Sequence, residues 1–494
     1  MTPSRPVWTR RPVLRWLGQG LLVAGLLPTS SWALPGVDEP PAPGRPRPLV
    51  LPRFEETTLG NGLRVIVAPR PGLPLVTMAL HLGTGALADP AGQTGLADLT
   101  HELRTRGALH RGRALDATDL ARRVEALGSG LHSATNWRGS ALSLTVATSH
   151  LDTAAELLAD VIRRPTLPAR ELTRVRERAI DGLKFEQADP SALAGLIARR
   201  VAWGRSAYAQ PQTRNSLERI HHADVLAQHQ RQARPHGASL VFTGDISLPQ
   251  ALLLARRHWG DWRAQGPTPT APPPQVADPT LPSRVLLDLP GAGQSGVVVL
   301  APMPVGIDDP QRRIAQVAAE VLGGSYSARI NQEVRIKRGL SYGASAGLNL
   351  YPEGGVLVTS TQTSHRSAAE VEQVMREEIL RLAREAPTPT ELAARQAGLV
   401  GGFARQLDTT AGLASLVIDR VERQRPLNEV GDVVPAVLAV TAQEVQDFAA
   451  RYWHAAQLRT VIVGDLEAAG TALSRDGAWV GSARQLRLDA ATLR

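Results

Sequence analysis

The sequence contains no cysteine among its 494 residues. This absence excludes disulfide bonds, thiolate metal sites and a cysteine nucleophile, and it leaves histidine, aspartate and glutamate as the available metal ligands. Aromatic side chains make up only 4% of the chain, which argues against a stacking groove for single-stranded nucleic acid. Lysine is nearly absent too, because Lys184 and Lys337 are the only two.

Positive charge is therefore carried by arginine, and the formal net charge is +9. Four arginines fall within the first 15 residues, in a segment without acidic residues, and the others are spread along the chain without a dense run. Nucleic-acid binding surfaces concentrate their basic residues on one patch or stripe. The sequence thus predicts no nucleic-acid partner.

Residues 1–33 have the composition of a cleavable export signal. A charged start is followed by a short apolar run at residues 21–27 and by small residues up to Ala33, after which cleavage is expected. The apolar run is too short to span a bilayer, so we expect no stable membrane span once the signal is removed. Residues 9–15 fit a twin-arginine signal and a general secretory signal equally well. Either route predicts a periplasmic or extracellular protein.

Two proline-rich stretches divide the rest of the chain. Residues 34–52 predict an extended tether behind the signal, and residues 265–283 predict a linker near the middle of the chain. The expected domains are therefore residues 53–264 and residues 284–494. A linker of this kind is also the expected first site of proteolysis, with release of two compact fragments.

The two expected domains look like copies of one unit. Asp309-Pro310 follows Asp89-Pro90 at an offset of 220 residues, and Gly464-Asp465 follows Gly244-Asp245 at the same offset, each after an apolar run. Such dipeptides are common in turns, but a shared offset indicates a duplicated domain.

Each unit mixes the periodicities of strands and helices. Residues 57–67 predict two strands joined by an Asn-Gly turn, and the alternation of apolar residues at positions 76, 78, 80 and 82 predicts a half-buried strand. Helical spacing occurs at residues 95–106, 151–163 and 168–186 and again from about Ser367, after a strand at residues 354–361. The predicted fold class is α+β, with two homologous halves that each pack an antiparallel-rich sheet against helices on one side.

Four stretches carry a family resemblance: LGNGLRVIV at residues 59–67, GTGALADP at 83–90, LGGSYSAR at 322–329 and RIKRGLSY at 335–342. Through them the chain, from residue 54 to about residue 465, resembles the insulinase and pitrilysin family of zinc peptidases with the inverted HxxEH motif. The resemblance implies that the homologous halves form a clamshell around an extended peptide.

The zinc motif of that family is degenerate in this chain. By the resemblance, Asp98 stands in place of the first ligand histidine, His101 in place of the general-base glutamate and Glu102 in place of the second ligand histidine. The third ligand, a glutamate expected near residues 181–182, is missing, and no HxxEH or HExxH occurs anywhere else. The expectation is that this chain binds no metal.

An alternative metal site is also open at these positions. Asp98 and Glu102 lie one helical turn apart and would suit a hard cation better than zinc, with His101 as a base. However, His101 would point about 100° away from Glu102 around the helix. With Arg104 and Arg106 as neighbours, we expect a solvated or salt-bridged helix face instead.

The other part of the family's machinery is present. Arg335 and Tyr342 are seven residues apart, which is the spacing of the arginine and tyrosine that contact the substrate backbone and the oxyanion in these enzymes. The chemistry suits the role, because a guanidinium offers several fixed donors to a carbonyl and a phenol can donate to a developing oxyanion.

In some members of the family one chain carries HxxEH and its partner carries the Arg/Tyr pair. This chain has the second pattern. We therefore expect the non-catalytic, substrate-binding subunit of an exported heterodimeric zinc metallopeptidase, inactive without an HxxEH-bearing partner. Its other partner is a peptide substrate, and zinc is expected in the partner subunit, not in this chain.

Three other functions remain open. A stand-alone periplasmic peptide-binding or chaperone protein would use the clamshell without hydrolysis. An assembly subunit, like the core subunits of respiratory complexes, would need neither the Arg/Tyr pair nor an export signal. An active peptidase is opposed by the missing zinc ligands.

Overall fold

The computed structural model describes residues 50–264, 283–475 and 477–482. The predicted export signal, residues 34–49 of the tether and residues 265–282 of the linker lie outside the described residues. The described residues belong to one compact unit that starts at Val50. No helix in the described ranges is long and apolar enough to cross a membrane.

The secondary structure alternates between strands and helices in both halves. The strands are β1 (Glu55–Thr58), β2 (Arg64–Pro69), β3 (Leu75–Leu82), β4 (Gly107–His110), β5 (Arg113–Asp116), β6 (His132–Thr135), β7 (Ser140–Ala147), β8 (Ala238–Gly244), β9 (Arg284–Asp288), β10 (Ser295–Met303), β11 (Ala344–Tyr351), β12 (Gly354–Thr363), β13 (Arg459–Gly464) and β14 (Trp479–Ser482). The helices are α1 (Leu96–Arg104), α2 (Ala117–Glu125), α3 (Leu151–Arg163), α4 (Ala169–Ala188), α5 (Pro190–Trp203), α6 (Arg214–Glu218), α7 (His222–Gln232), α8 (Leu248–Trp259), α9 (Arg312–Gly323), α10 (Arg329–Asn331), α11 (Ala368–Arg384), α12 (Pro389–Leu407), α13 (Thr410–Glu422), α14 (Val433–Leu438), α15 (Ala442–Tyr452) and α16 (Leu466–Ala469). Helix α10 continues into a π-helical turn, Gln332–Lys337.

Each half is built around a six-stranded sheet. The strand order is β1-β2-β8-β3-β7-β6 in the first half and β14-β9-β13-β10-β12-β11 in the second, so that five strands recur in the same order. Neighbouring strands are antiparallel except for the pairs β2–β8, β9–β13 and β9–β14. The predicted α+β fold with two homologous, antiparallel-rich halves is confirmed.

One face of each sheet packs against helices of its own half. In the first half α3 and α8 bury the apolar side chains of β2, β3, β7 and β8. In the second half α9, α11 and α15 cover the equivalent face. These helices arise where the sequence shows a stripe of apolar residues at helical spacing, because only such a stripe can be removed from water on one side.

The opposite face of each sheet is covered by a helix from the other half. Helix α13, of the second half, packs Ala414 and Val417 against Ile66, Ala79 and Val241 of the first sheet. Helix α5, of the first half, packs in the same way against β10 and β13 of the second sheet. The two helices begin 220 residues apart, so the duplication has produced a reciprocal exchange of helices.

This exchange corrects one expectation from the sequence. Strand β3 was expected to be half-buried, but every residue from Val76 to Leu82 is buried. The polar residue Thr77 lies on the face covered by α13, where its hydroxyl bonds the hydroxyl of Thr410 at 2.8 Å. A buried hydroxyl with a partner carries little penalty, so the alternation in the sequence does not mark a solvated face.

The turn between β6 and β7 makes further contacts between the halves. Trp137 Nε1 donates to the hydroxyl of Tyr351 at 3.1 Å, and Arg138 donates to Glu353 at 2.7 Å. The ring of Tyr351 also stacks on that of Tyr208 with 4.0 Å between centroids. The hairpin formed by β11 and β12 is therefore anchored to the first half at its turn.

Candidate functional site

The degenerate metal motif lies on α1, and hydrogen bonds to Asp89 hold the start of this helix in place. Asp89 accepts hydrogen bonds from the backbone N–H groups of Gly95 and Ala97, both at 2.8 Å. A carboxylate at this position satisfies donors that a helix N-terminus leaves unpaired. Gly95 has a φ of +107°, and an added Cβ would lie 2.8 Å from Leu217, so the entry to α1 requires glycine.

Asp98 is half-buried and faces a cavity of about 430 Å³. Burial raises the pKa of its carboxyl to about 6, the hydrogen bond donated by Gln212 opposes the rise, and Glu102 adds to it. Glu186 of α4 lines the same cavity. Glu186 lies one helical turn beyond Gly182, outside the positions 181–182 at which the family resemblance predicts the third ligand.

Glu102 is held in ion pairs. Its carboxylate contacts Arg106 at 2.5 Å and Arg178 at 2.9 Å. The salt-bridged character expected of this helix face therefore holds for Glu102 and Arg106. It does not hold for Arg104, which was expected as a surface neighbour and is fully buried.

Arg104 and His101 point instead into the packing between α1 and α7. Arg104 donates to the Nδ1 of His101 at 2.9 Å, to the Nδ1 of His229 at 3.3 Å and to Gln232 at 2.8 Å. Because a guanidinium can only donate, the Nδ1 of His101 accepts, and its Nε2–H donates to the carbonyl of Ala141 at 2.9 Å. Both ring nitrogens of His101 are thus engaged.

These positions do not fit a zinc ion. His101 has no free lone pair, Glu102 is ion-paired, and Asp98 and Glu186 contribute only oxygens, whereas catalytic zinc requires imidazole-rich ligands and an open position. Within the residues that the structure describes, no group of three or more histidine, aspartate and glutamate side chains is placed to hold a metal ion.

The burial of His101 and His229 beside the guanidinium of Arg104 predicts that the stability of the fold depends on pH. Burial, together with the charge of Arg104, lowers the pKa of His101 from 6.5 to about 3 and that of His229 to about 3. In the unfolded chain both histidines are protonated as the pH falls below 6.5, whereas in the folded chain they stay neutral down to about pH 3. The contribution of the two neutral histidines to the free energy of unfolding is therefore complete above about pH 6.5 and is lost as the pH falls toward about 3.

We expect His101→Gln to make this acid-induced loss shallower. The glutamine amide can still accept from Arg104 and donate to Ala141, but it cannot be protonated. The measurement is the free energy of unfolding in urea from about pH 7 to about pH 4. His132→Gln, at an exposed histidine of β6, is the control and should follow the wild-type curve. Parallel curves for wild type and His101→Gln would contradict the assignment.

The second group of candidate residues lies in the other half, around Arg335. Arg335 belongs to the π-helical turn Gln332–Lys337, and Gly339, two residues beyond the end of this turn, has a φ of +62°. There Gly339 N–H donates to the carbonyl of Arg335, and Leu340 N–H donates to that of Val334 at 2.8 Å. This is the hydrogen-bond pattern of a glycine-terminated helix end, and it reverses the chain so that Tyr342 returns over Arg335.

The guanidinium of Arg335 lies over two tyrosine rings. Its central carbon is 4.5 Å from the ring centroid of Tyr342 and 4.7 Å from that of Tyr326. Tyr342 is 88% exposed and Tyr326 is 60% exposed. Arg335 and Tyr342 were predicted from the sequence, whereas Tyr326 was not, although it lies inside the LGGSYSAR stretch.

Arg335 keeps its hydrogen-bond donors available. Within the described residues its side chain forms no hydrogen bond or salt bridge, whereas its neighbours Lys337 and Arg338 both contact Glu333. Stacked rings cover the faces of a guanidinium and leave its N–H edge open. The group can therefore bind a carbonyl or another acceptor that approaches from solvent.

The structure does not bring this pair to the chain's own degenerate motif. Tyr342 precedes β11, and Tyr351 at the other end of β11 contacts the first half. The eight residues of β11 span roughly 26 Å at about 3.3 Å each. The residues that line the cavity at Asp98 all belong to the first half and include neither Arg335 nor Tyr342, and the side chain of Tyr342 is 88% exposed.

Comparison with known proteins shows related sequences and folds. A family model described as insulinase (peptidase family M16) matches residues 64–195, and one described as peptidase M16 inactive domain matches residues 219–399. A protein named as an uncharacterized zinc protease from Mycobacterium tuberculosis is 25% identical over 379 residues, which cover 76% of this chain and 84% of that protein.

Two solved structures extend the comparison. A structure described as a peptidase M16 inactive domain from Pseudomonas fluorescens has a TM-score of 0.75 at 22% identity, over 83% of this chain and 98% of that chain. The periplasmic protease PqqL from Escherichia coli has a TM-score of 0.70 at 17% identity, over 87% of this chain and 49% of PqqL. These similarities show that this chain shares the fold of both structures. The matched region makes up about half of the PqqL chain.

Proposed function

This chain belongs to the insulinase (M16) peptidase family, and on that basis we propose that it is the substrate-binding, non-catalytic subunit of an exported heterodimeric zinc metallopeptidase that cleaves peptides. The observation that carries the proposal is the contrast between its two sites. The side chains at the metal-motif positions are engaged in hydrogen bonds and ion pairs. In contrast, Tyr342 is exposed, Arg335 is half-buried, and within the described residues neither side chain forms a hydrogen bond or ion pair.

In the proposed complex, hydrolysis takes place on the partner subunit, which carries HxxEH and zinc. Arg335 of this chain donates to a carbonyl of the bound peptide and holds its backbone in place. The hydroxyl of Tyr342 donates to the oxygen that becomes negative when water attacks the scissile carbonyl.

The comparison with PqqL supports a partner of the same fold. This chain matches about half of that periplasmic protease, so a second unit of similar size would complete an assembly of the same extent. The exposure of Tyr342, and the absence of Arg335 and Tyr342 from the lining of the cavity at Asp98, agree with a site shared between two chains. Export through the signal at residues 1–33, to the periplasm or the cell exterior, belongs to the same proposal.

The test compares the purified chain with the chain co-expressed with an HxxEH-bearing family member from the same source. The chain without its partner should contain no stoichiometric zinc by elemental analysis and should not cleave an unstructured fluorogenic peptide, because its oxygen-rich remnant site cannot activate water. The co-purified complex should cleave it. One tightly held zinc per chain in the isolated protein would refute the proposal, and peptide binding by this chain without any hydrolytic complex would favour the stand-alone binding protein.

A further inference from the structure

Tyr326 is the residue of the Arg335 cluster to which nothing so far assigns a role. Its ring covers the guanidinium at 4.7 Å, nearly as close as the ring of Tyr342. Arg335 has no hydrogen bond or ion pair within the described part of the chain, so these two rings are the groups that determine its orientation. A long arginine side chain without such contacts would sample many rotamers.

The backbone that carries Tyr326 is held firmly. The buried side chain of Arg395, on α12, donates to the carbonyl and the hydroxyl of Ser327 at 2.9 and 3.0 Å, and it also bonds the hydroxyl of Ser325. Two residues of the loop on either side of Tyr326 are therefore fixed to one helix. Arg329 forms a bidentate pair with Glu391 of the same helix, at 2.8 and 2.9 Å.

The two tyrosines differ in what surrounds them. Tyr342 is 88% exposed and follows the turn at Gly339, so its hydroxyl is available for a substrate. Tyr326 is less exposed, at 60%, and sits on the loop that Arg395 anchors. A rigid ring on one face of the guanidinium would keep the N–H edge aligned even when Tyr342 moves to bind a substrate.

We propose that Tyr326 is a positioning residue, which holds the guanidinium plane of Arg335 so that its N–H groups point at the substrate backbone. This inference rests on the proposed function of Arg335. Tyr326 itself contacts neither the substrate nor the reacting atoms, and its contribution comes from the ring and not from the hydroxyl.

The kinetic test uses the assembled peptidase with an unstructured fluorogenic peptide. Tyr326→Leu should raise KM about two- to fivefold, which is the size of one exposed cation–π contact, and leave kcat near the wild-type value. Tyr326→Phe keeps the ring and should behave like wild type. Leu253→Ala is a matched control, because Leu253 is 59% exposed and lies on α8 in the other half.

A double variant separates this inference from the proposed function. If Tyr326 acts through Arg335, adding Tyr326→Leu to Arg335→Ala should not raise KM further. An unchanged KM for Arg335→Ala would refute the proposed function, whereas a raised KM for Arg335→Ala with a wild-type KM for Tyr326→Leu would refute the inference alone. If Tyr326→Phe is as impaired as Tyr326→Leu, ring stacking is not the cause and the inference is also wrong.

A second measurement needs only the chain itself. The proton of the Arg335 Nε–H group lies near the two rings and should show a ring-current shift in a ¹H–¹⁵N spectrum. Tyr326→Leu should move this resonance toward the position of a solvated arginine, and Tyr326→Phe should not. An unchanged resonance in Tyr326→Leu would overturn the proposal without reference to any partner.

Discussion

Tyr342→Phe is expected to lower kcat of the assembled peptidase by about two to three powers of ten, the usual cost of removing one oxyanion donor. The substitution removes a single hydroxyl and keeps the ring that stacks on Arg335 at 4.5 Å. The orientation of Arg335 should therefore survive, and KM should change little. Steady-state kinetics on the reconstituted complex provide the measurement.

The control is that assembly and folding remain unchanged. The side chain of Tyr342 is 88% exposed, so its hydroxyl contributes little to the stability of the chain. Size-exclusion chromatography should show the same complex for wild type and Tyr342→Phe. Turnover at the wild-type rate in an intact complex would mean that this chain is a scaffold and that Tyr342 has no part in the reaction.

Substitutions of Arg335 should give a different kinetic pattern. Arg335→Ala removes a contact made in both the ground state and the transition state. KM should therefore rise, and kcat/KM should fall. Arg335→Lys should restore little of the lost peptide binding. The ammonium group of lysine lacks the planar fork of a guanidinium and stacks less well on the rings of Tyr326 and Tyr342.

Cleavage of the linker is expected to leave the two halves bound to each other. The sequence predicts that proteolysis at residues 265–283 releases two compact fragments, but the exchange of α5 and α13 changes this expectation. Each sheet buries one face against a helix from the other half, and an isolated half would expose that face to water. A chain cut at an engineered protease site in the linker should therefore elute as one species of the original size.

A charged residue in the exchanged helix should reverse this result. Val417, on α13, is fully buried against the first sheet, and Val417→Asp would place an unpaired carboxylate there at a cost of about 3–5 kcal/mol. The cut variant should separate into its fragments. Ser415→Asp, on the exposed side of the same helix, is the matched control and should stay together. Release of folded fragments from the cut wild-type chain would show that the exchange does not hold the halves.

Helices and strands were predictable wherever a single physical pattern dominated. The helix expected at residues 151–163 is α3 with the same bounds, because its apolar residues repeat at helical spacing over the whole segment. The Asn61-Gly62 turn likewise joins β1 and β2 as an antiparallel pair. In both cases the information is local, and neighbours in the sequence provide the contacts that matter.

The candidate sites show where local patterns stop being informative. The family resemblance paired Arg335 with Tyr342, but Tyr326 is brought to them only by the path of the chain between α9 and α10. Arg104 was expected on the surface because arginine usually is, whereas His101 of the same helix and two residues of α7, His229 and Gln232, replace water around it. The two partners on α7 are far from Arg104 in the sequence, and no local pattern indicates them.

The sequence by itself determined the duplication, the α+β class of each half, the loss of the HxxEH ligands and the retention of Arg335 with Tyr342. The duplication and the fold class follow from periodicity, which is fixed before the chain folds, whereas the altered ligand positions and the Arg335–Tyr342 pair are what the family resemblance implies. Only the tertiary structure decided that the halves exchange α5 and α13, that Arg104 is buried against His229 and Gln232, and that neither Arg335 nor Tyr342 lines the chain's own cavity at Asp98. Such features depend on contacts between residues far apart in the sequence, because burial and hydrogen-bond partners are set by whichever distant segment packs alongside.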